Sequence, residues 1–219
     1  MQYLNPIPYH KVLELLDIDS YKIKEKLTIY TMCNFNTLVL NKYLEHYLKK
    51  IGIKAQIFSS EFDQIDQELI SYNNNLKIKK SDILIIGSDI NSKVSFDENL
   101  INSYIQNLEN NLSRILKIKN SKKNLQIIFW NSTFLNSSFL NMKDKFYLND
   151  SKIISYNKNL FNFSKKIKNL NIFDVNKISN LIGNENLYET KNYYTTKIPY
   201  TEKAHNYISF ELSRTINSI

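Results

Sequence analysis

Three side chains in this sequence have the chemistry of an acyl-transfer relay: Cys33, His205 and Asp174. A thiol nucleophile needs a base within hydrogen-bond reach and a third group to orient that base. Cys33 follows a β-rich run and precedes a helical stretch, and a helix N-terminus lowers a thiol pKa. His205 lies near the start of the last predicted helix, with Asp174 or Asp89 available to orient it. Each also has a structural reading. A lone cysteine packs as a small buried hydrophobe, and His205 shares its helical face with Ile208 and Leu212. The single cysteine excludes an internal disulfide. His10, His46 and His205 are too widely spaced to form a ligand set, so neither a metal site nor a cofactor is expected.

The elements that must position these groups alternate between strand and helix. Leu27–Thr31 (LTIYT) is the first predicted strand, and Thr37–Ile51 follows as a helix with apolar residues at helical spacing and Gly52 at its C-terminus. Lys54–Phe58 is the second strand and Phe62–Ser71 the second helix, ended by Asn73-Asn74-Asn75. Asp82–Gly87 (DILIIG) is apolar without alternation, as in a central parallel strand covered on both faces. A long helix over Asp97–Ile118 leads to the strand Leu125–Trp130. Asn131 to about Asp150 reads as a loop with helical fragments, Ser151–Lys168 as a helix and Asn171–Val175 as the fifth strand. A short helix over Lys177–Ile182 and a last helix over Thr201–Ile216 complete the pattern. Five strands, each followed by a helix, predict a three-layer α/β/α fold with a five-stranded parallel sheet. Residues 1–24 form a helical preamble and 25–219 the α/β domain.

Such folds bind ligands beyond the carboxyl ends of their strands. That selects Cys33, Asn34, Asn36 and Thr37 after strand one, and Glu61 and Asp63 after strand two. It also selects Ser88 and Asp89 after strand three, Asn131 and Thr133 after strand four, and Asp174 after strand five. Lys197 and Tyr200 precede the last helix. Substrate binding is one reading of Asn34, Asn36, Glu61, Asp63, Ser88, Asp89, Asn131, Lys197 and Tyr200. The other is local: Asn34, Asn36, Thr37 and Asp63 are good N-caps, Ser88-Asp89 can close a turn, and Lys197 can be solvated. Tyr193, Tyr194 and Tyr200 either wall a groove or cover the sheet's end. No GxGxxG, Walker lysine pattern or GxSxG is present, which disfavours dinucleotide binding, phosphate-loop chemistry and an α/β-hydrolase elbow. DxDxT, the signature of haloacid-dehalogenase (HAD) phosphatases, is also missing.

Leu27–Tyr47 (LTIYTMCNFNTLVLNKYLEHY), Ala55–Gln67 (AQIFSSEFDQIDQ), Ser81–Gly87, Ser155–Leu160 with Asn157, Phe173-Asp174, Gly183 and Tyr193–Thr201 (YYTTKIPYT) together resemble the N-terminal domain of FkbH-type proteins. The resemblance covers about residues 25–219 with gaps. It implies an SGNH-hydrolase-like fold, flavodoxin-like in topology. In that family the domain precedes a HAD-type domain associated with loading a glyceryl unit onto an acyl carrier protein. An acyl carrier protein and a HAD-type domain or protein are therefore the implied partners. The chemistry of the second domain does not transfer to these residues. The SGNH hydrolases carry a GDS block after strand one and a DxxH block before the last helix. Here the first is MCNFN, and alignment of the second puts Thr196 at the aspartate and Pro199 at the histidine. The resemblance thus implies an SGNH-like domain without the usual Ser–His dyad, binding an acyl, glyceryl or carrier-linked group. A hydrolase or acyltransferase with a nonstandard site around Cys33 is the alternative.

A polyanion or nucleic-acid binder is a third class, raised by 29 basic against 21 acidic residues in 219, a net charge of +8. Yet only Arg114 and Arg214 are arginine, the preferred residue for phosphate and base recognition. Asparagine occurs 31 times and isoleucine 30, against three glycines and two alanines. AT-rich codon usage produces that bias, so a nucleic-acid partner is not expected. No signal peptide and no apolar run long enough to span a bilayer is seen, which predicts a cytoplasmic protein.

Overall fold

The computed structural model of the chain describes residues 5–18, 21–89, 98–132, 143–189 and 195–219, with 98–101, 143–150 and 184 described by backbone only. Thr133, Tyr193 and Tyr194 lie outside the described residues. One sheet runs in the order β2-β1-β3-β4-β5. Its strands are β1 Glu25–Cys33, β2 Ile53–Ser59, β3 Ile83–Gly87, β4 Gln126–Trp130 and β5 Leu170–Phe173. Every pairing is parallel. The fold is the expected three-layer α/β/α arrangement.

The helices are α1 Tyr9–Leu16, α2 Leu38–Lys50, α3 Ile65–Ile70, α4 Leu76–Lys80, α5 Glu98–Ser121, α6 Lys143–Ser164, α7 Val175–Ile182 and α8 Glu202–Asn217. A parallel sheet needs cover on both faces, and the side-chain period of two divides the cover between two cores. Ile29 and Cys33 of β1 pack with Leu40, Leu44 and Leu48 of α2 and with Ile208, Leu212 and Ile216 of α8. Tyr30 and Met32 point the other way, into a core shared by α3, α5 and α6. All five residues of β3 are buried, which explains their unbroken apolar run. Helix α1 closes the outside of α2: Val12 packs on Tyr43 and Tyr47, and the Tyr43 hydroxyl donates to the Ile7 carbonyl at 2.7 Å.

Element boundaries shift in ways that matter for the site. β1 runs on through Cys33, two residues past the predicted end, because Met32 and Cys33 pair in register with Ile86 and Gly87. Cys33 is therefore a strand residue, and the loop begins at Asn34. The second helix starts at Ile65, later than predicted, because Asp63 sits at φ 58° and breaks the helical path. Gln64, not Asp63, therefore occupies the cap position of α3. A helix over Leu76–Lys80 was not predicted. Asn75 caps it, its side chain accepting from the Lys77 and Ile78 amides. α6 begins at Lys143, inside the stretch read as loop. Gly52, at φ 92°, follows α2 where a left-handed residue is needed.

Gly87 faces the crowded end of β1. A Cβ there would lie 2.8 Å from Cys33 Sγ and 3.2 Å from Trp130 Cδ2, both buried. Overpacking of this kind costs about 1–3 kcal/mol. Gly87→Ala is expected to lower the urea-unfolding free energy by that amount, whereas Gly87→Ala with Cys33→Ala recovers most of it.

Candidate functional site

The carboxyl edge of the sheet is held by asparagine side chains that pair with backbone as another strand would. Asn34 Nδ2 donates to the Asp89 carbonyl at 2.9 Å, and the Asp89 amide donates to Asn34 Oδ1 at 2.8 Å. Asn157 repeats the pairing on Ser132, with the Ser132 amide donating to Oδ1 at 2.9 Å and Nδ2 donating to the carbonyl at 2.8 Å. Asn131 Oδ1 accepts from the Val175 amide at 2.9 Å, while its Nδ2 donates to Asp174 Oδ1 at 2.6 Å. A side-chain amide carries one acceptor and two donors, so it satisfies both groups of a loop peptide that has left the ladder. The loops after β1, β3 and β4 are fixed in this way.

A cavity of about 270 Å³ opens where these loops meet α5. Asn34, Asp63 and Ser88 line it, together with Tyr104, Asn107 and Asn111. It lies between the ends of β1 and β3, where the strand order reverses and where parallel α/β sheets place their ligands. Tyr104 is 7 % exposed, and its hydroxyl makes no hydrogen bond of normal geometry. Burial pushes its pKa up, eased by Ser88 and Ser132 and reinforced by the Asp89 carboxylate. The hydroxyls of Ser132 and Tyr156 nearby are also buried without a hydrogen bond of normal geometry. Arg114 Nη1 donates to Asp66 Oδ1 and to Asn111 Oδ1, each at 2.9 Å, and so braces the cavity wall from behind. Among the described residues no lysine or arginine lines the cavity.

Beneath this floor the thiol and the imidazole of the relay are sealed in the core. Cys33 is 2 % exposed, and burial pushes its thiol up to about 12. Only roughly one molecule in 10⁵ would carry the reactive thiolate at pH 7. His205 is 1 % exposed, and burial pulls its pKa down to about 3. Both its ring nitrogens lack a hydrogen-bond partner, so it makes no bond to Cys33 or Asp174. Its ring instead stands edge-on to Tyr200, centroids 5.8 Å apart. Asp174 is exposed and accepts from the Asn176 and Lys177 amides as the N-cap of α7. The three groups are thus not assembled as a relay.

The remaining loop residues fall into separate places. Asp89 is fully buried, with the Tyr188 hydroxyl 3.4 Å from Oδ1. Burial and the Asp89 charge raise the Tyr200 phenol, itself 1 % exposed, well above its usual pKa. Asn36 accepts from the Leu38 amide at 3.0 Å, and its own amide donates to the Lys197 carbonyl at 2.8 Å. Lys197 is exposed, at φ 59°. Thr37 occupies the cap position of α2 without a side-chain cap bond. Asn36 and Thr37 line a second cavity of about 570 Å³ between α2 and β2. Glu61 is exposed. Sequence reasoning missed Tyr104, Asn107 and Asn111. Their spacing of three and four residues puts them on one helical face, the signal that could have found them.

No known family pattern and no curated protein sequence matches the chain. Solved structures do resemble it. The N-terminal part of a Bacteroides fragilis protein, containing a phosphatase domain and complexed with magnesium, superposes with a TM-score of 0.72 at 17 % identity. The match covers 96 % of this chain and 55 % of that one, so this chain spans about half its length. A lipase/acylhydrolase from Enterococcus faecalis gives a TM-score of 0.54 at 12 % identity, over 89 % of this chain and 96 % of that one. An acetylxylan esterase from Geobacillus stearothermophilus gives 0.52 at 13 % identity, over 90 % and 95 %. The fold is therefore SGNH-hydrolase-like.

Two measurements test this account. Asn34→Ala strands a buried amide and a buried carbonyl at Asp89. It is expected to cost about 2–5 kcal/mol in urea unfolding, with near-wild-type stability refuting the clamp. His205 must bind a proton on unfolding below pH 6.5 but stays neutral when folded down to about pH 3. Its contribution is thus complete above pH 6.5 and is lost as pH falls. Between pH 7 and pH 5 the wild type should lose about 2 kcal/mol more stability than His205→Phe.

Proposed function

We propose that this chain is an SGNH-like binding domain without the usual Ser–His dyad. It would hold an acyl, glyceryl or carrier-protein-linked group for a HAD-type partner, as the resemblance to FkbH-type proteins implies. The observation that carries this reading is the cavity at the reversal of strand order. Tyr104 on its wall carries a buried hydroxyl that makes no hydrogen bond of normal geometry, Ser88 is among the residues that line it, and no nucleophile–base pair forms beside it among the described residues. An uncompensated buried hydroxyl costs free energy that a polar ligand group can return. Asp63 lines the same cavity, Asp66 on its wall is already paired with Arg114, and no lysine or arginine lines it among the described residues, which suits an uncharged hydroxyl- or carbonyl-bearing group better than a phosphate. Phosphate chemistry would then fall to the partner. The likeness to the N-terminal part of a protein that contains a phosphatase domain supports that division of labour.

The experiment has two arms. Short p-nitrophenyl esters should not be turned over above background, and Cys33→Ala should change nothing. Turnover that disappears in Cys33→Ala would establish the hydrolase alternative instead. In the second arm, calorimetric titration should give tighter binding of an acyl- or glyceryl-loaded carrier protein than of the unloaded one. Tyr104→Phe, which keeps the ring and removes the hydroxyl, should weaken the loaded complex about 5–20-fold. Equal affinity for loaded and unloaded carrier protein would refute the reading.

A further inference from the structure

The lysine excess is not spread evenly over the surface. All strands of a parallel sheet start at one edge, and here each start carries lysine. Lys26 and Lys54 are the second residues of β1 and β2, while Lys24, Lys80, Lys123 and Lys168 stand just before β1, β3, β4 and β5. All six are exposed, and none forms an ion pair with a described residue. They form one continuous band. Lys26 is the register partner of Lys54, and the Lys24 amide donates to the Gly52 carbonyl at 2.7 Å. Lys122 Nζ reaches the Lys79 carbonyl at 2.9 Å, and Asn169 Nδ2 reaches the Lys123 carbonyl at 3.3 Å. The carboxylates at these strand starts are Glu25 and Asp82, and Asp82 Oδ2 already accepts from the Thr28 amide at 2.8 Å.

Local structure does not account for the band. Lysine at helix C-termini complements the helix dipole, but of the six only Lys80 ends a helix. Lysine on an edge strand guards against strand pairing, which explains Lys54 but not Lys26 on interior β1. Like charges directly opposite in a sheet are destabilising, and lysine is depleted in strands. Lys26 against Lys54 therefore has a cost with no return inside the fold.

We propose that this edge is a docking face for an anionic lipid surface. Five strands about 4.8 Å apart make the band roughly 20 Å long. Lys50 at the end of α2 extends it to one side and Lys117 near the end of α5 to the other, so the charge covers an area rather than a line. A plane of phosphates meets such a face all at once. A nucleic-acid rod meets one row of it and is usually gripped by arginine forks in a groove. Here Arg114 is paired with Asp66 and Arg214 with Glu211, and the ligand cavities open at the opposite carboxyl edge. Juxtaposed lysines each add attraction to a charged leaflet. No helix among the described residues is long and apolar enough to cross a membrane, so the contact is peripheral. Docked this way, the cavity between β1, β3 and α5 faces the solution. The inference does not depend on what that cavity binds.

The test is sedimentation of the protein with phosphatidylcholine vesicles, with and without phosphatidylserine, over a salt series. Binding is expected to the phosphatidylserine vesicles alone and to weaken with salt. The variant Lys26→Glu/Lys54→Glu/Lys123→Glu/Lys168→Glu should lose about tenfold or more in affinity. A glutamine version of the same four, checked by thermal melting, separates lost binding from lost folding. Lys177→Glu/Lys203→Glu makes a smaller charge change at the opposite edge and should bind like wild type. No binding to phosphatidylserine vesicles would overturn the proposal. So would equal loss per charge in the control variant, or tighter binding of duplex DNA or polyglutamate at matched charge concentration.

Discussion

A peptide group that leaves the end of a buried parallel strand loses its ladder partners while still shielded from water. Asparagine meets that constraint because its side chain is itself an amide. Asn34 closes the gap between the loops after β1 and β3, Asn157 pins the loop after β4 to α6, and Asn131 ties it to the start of α7. The geometry of the carboxyl edge follows from these pairings. With its backbone held by Asn34, Asp89 turns its carboxylate inward beneath Tyr188, and Ser88 is left facing the cavity. Removing the pairings would leave the cavity wall without a reason to hold its shape.

The same enclosure decides which groups can react. A thiol and an imidazole near a strand end look like a nucleophile and base only while their burial is unknown. Desolvation disfavours the charged form of each, so it raises Cys33 and lowers His205. A working relay needs the opposite balance, a thiol eased toward thiolate by a charged neighbour. Here the neighbours are Gly87, Trp130 and Tyr200, and the easing that the Gly87 backbone gives the thiol is outweighed by burial. The polar groups left open to a ligand sit one layer higher, on α5 and on the loops.

The architecture was legible because its signals are local and repeated. The unbroken run DILIIG, the helical spacing over residues 38–48 and glycine after α2 each report burial or backbone geometry directly. The resemblance to FkbH-type proteins pointed to Asn157, and its pairing with Ser132 gives that asparagine a physical role. Less of the site was readable, because its contacts join distant segments. Asn34 looked like a helix cap, the commonest use of asparagine before a helix, and nothing in the sequence says that residue 89 lies opposite it. Tyr104 belongs to a helix whose apolar face dominates the pattern. The burial of its hydroxyl without a hydrogen bond of normal geometry is a property of the assembled layer. Cys33 was misplaced by two residues of strand, enough to turn a loop thiol into a core thiol.

Net charge was the least informative number in the sequence and becomes informative only with topology. Codon bias can supply lysine and asparagine in excess, but it cannot choose an edge. A parallel α/β fold has two unlike edges, since helix N-termini gather at the strand ends and helix C-termini at the strand starts. Dipole compensation therefore draws acids such as Asp174 and Glu202 to one edge and lysines to the other. That sets the sign of the segregation. It does not set the amount, because the compensating charge is fractional at each helix end and confined to its last turn. Lys26 and Lys54 sit on strands, not on a helix's last turn. What remains is a molecule whose field has a direction, with an unneutralised edge set against a ligand-bearing one. Such a molecule is oriented by any extended anionic surface, and the orientation it takes leaves the cavity accessible.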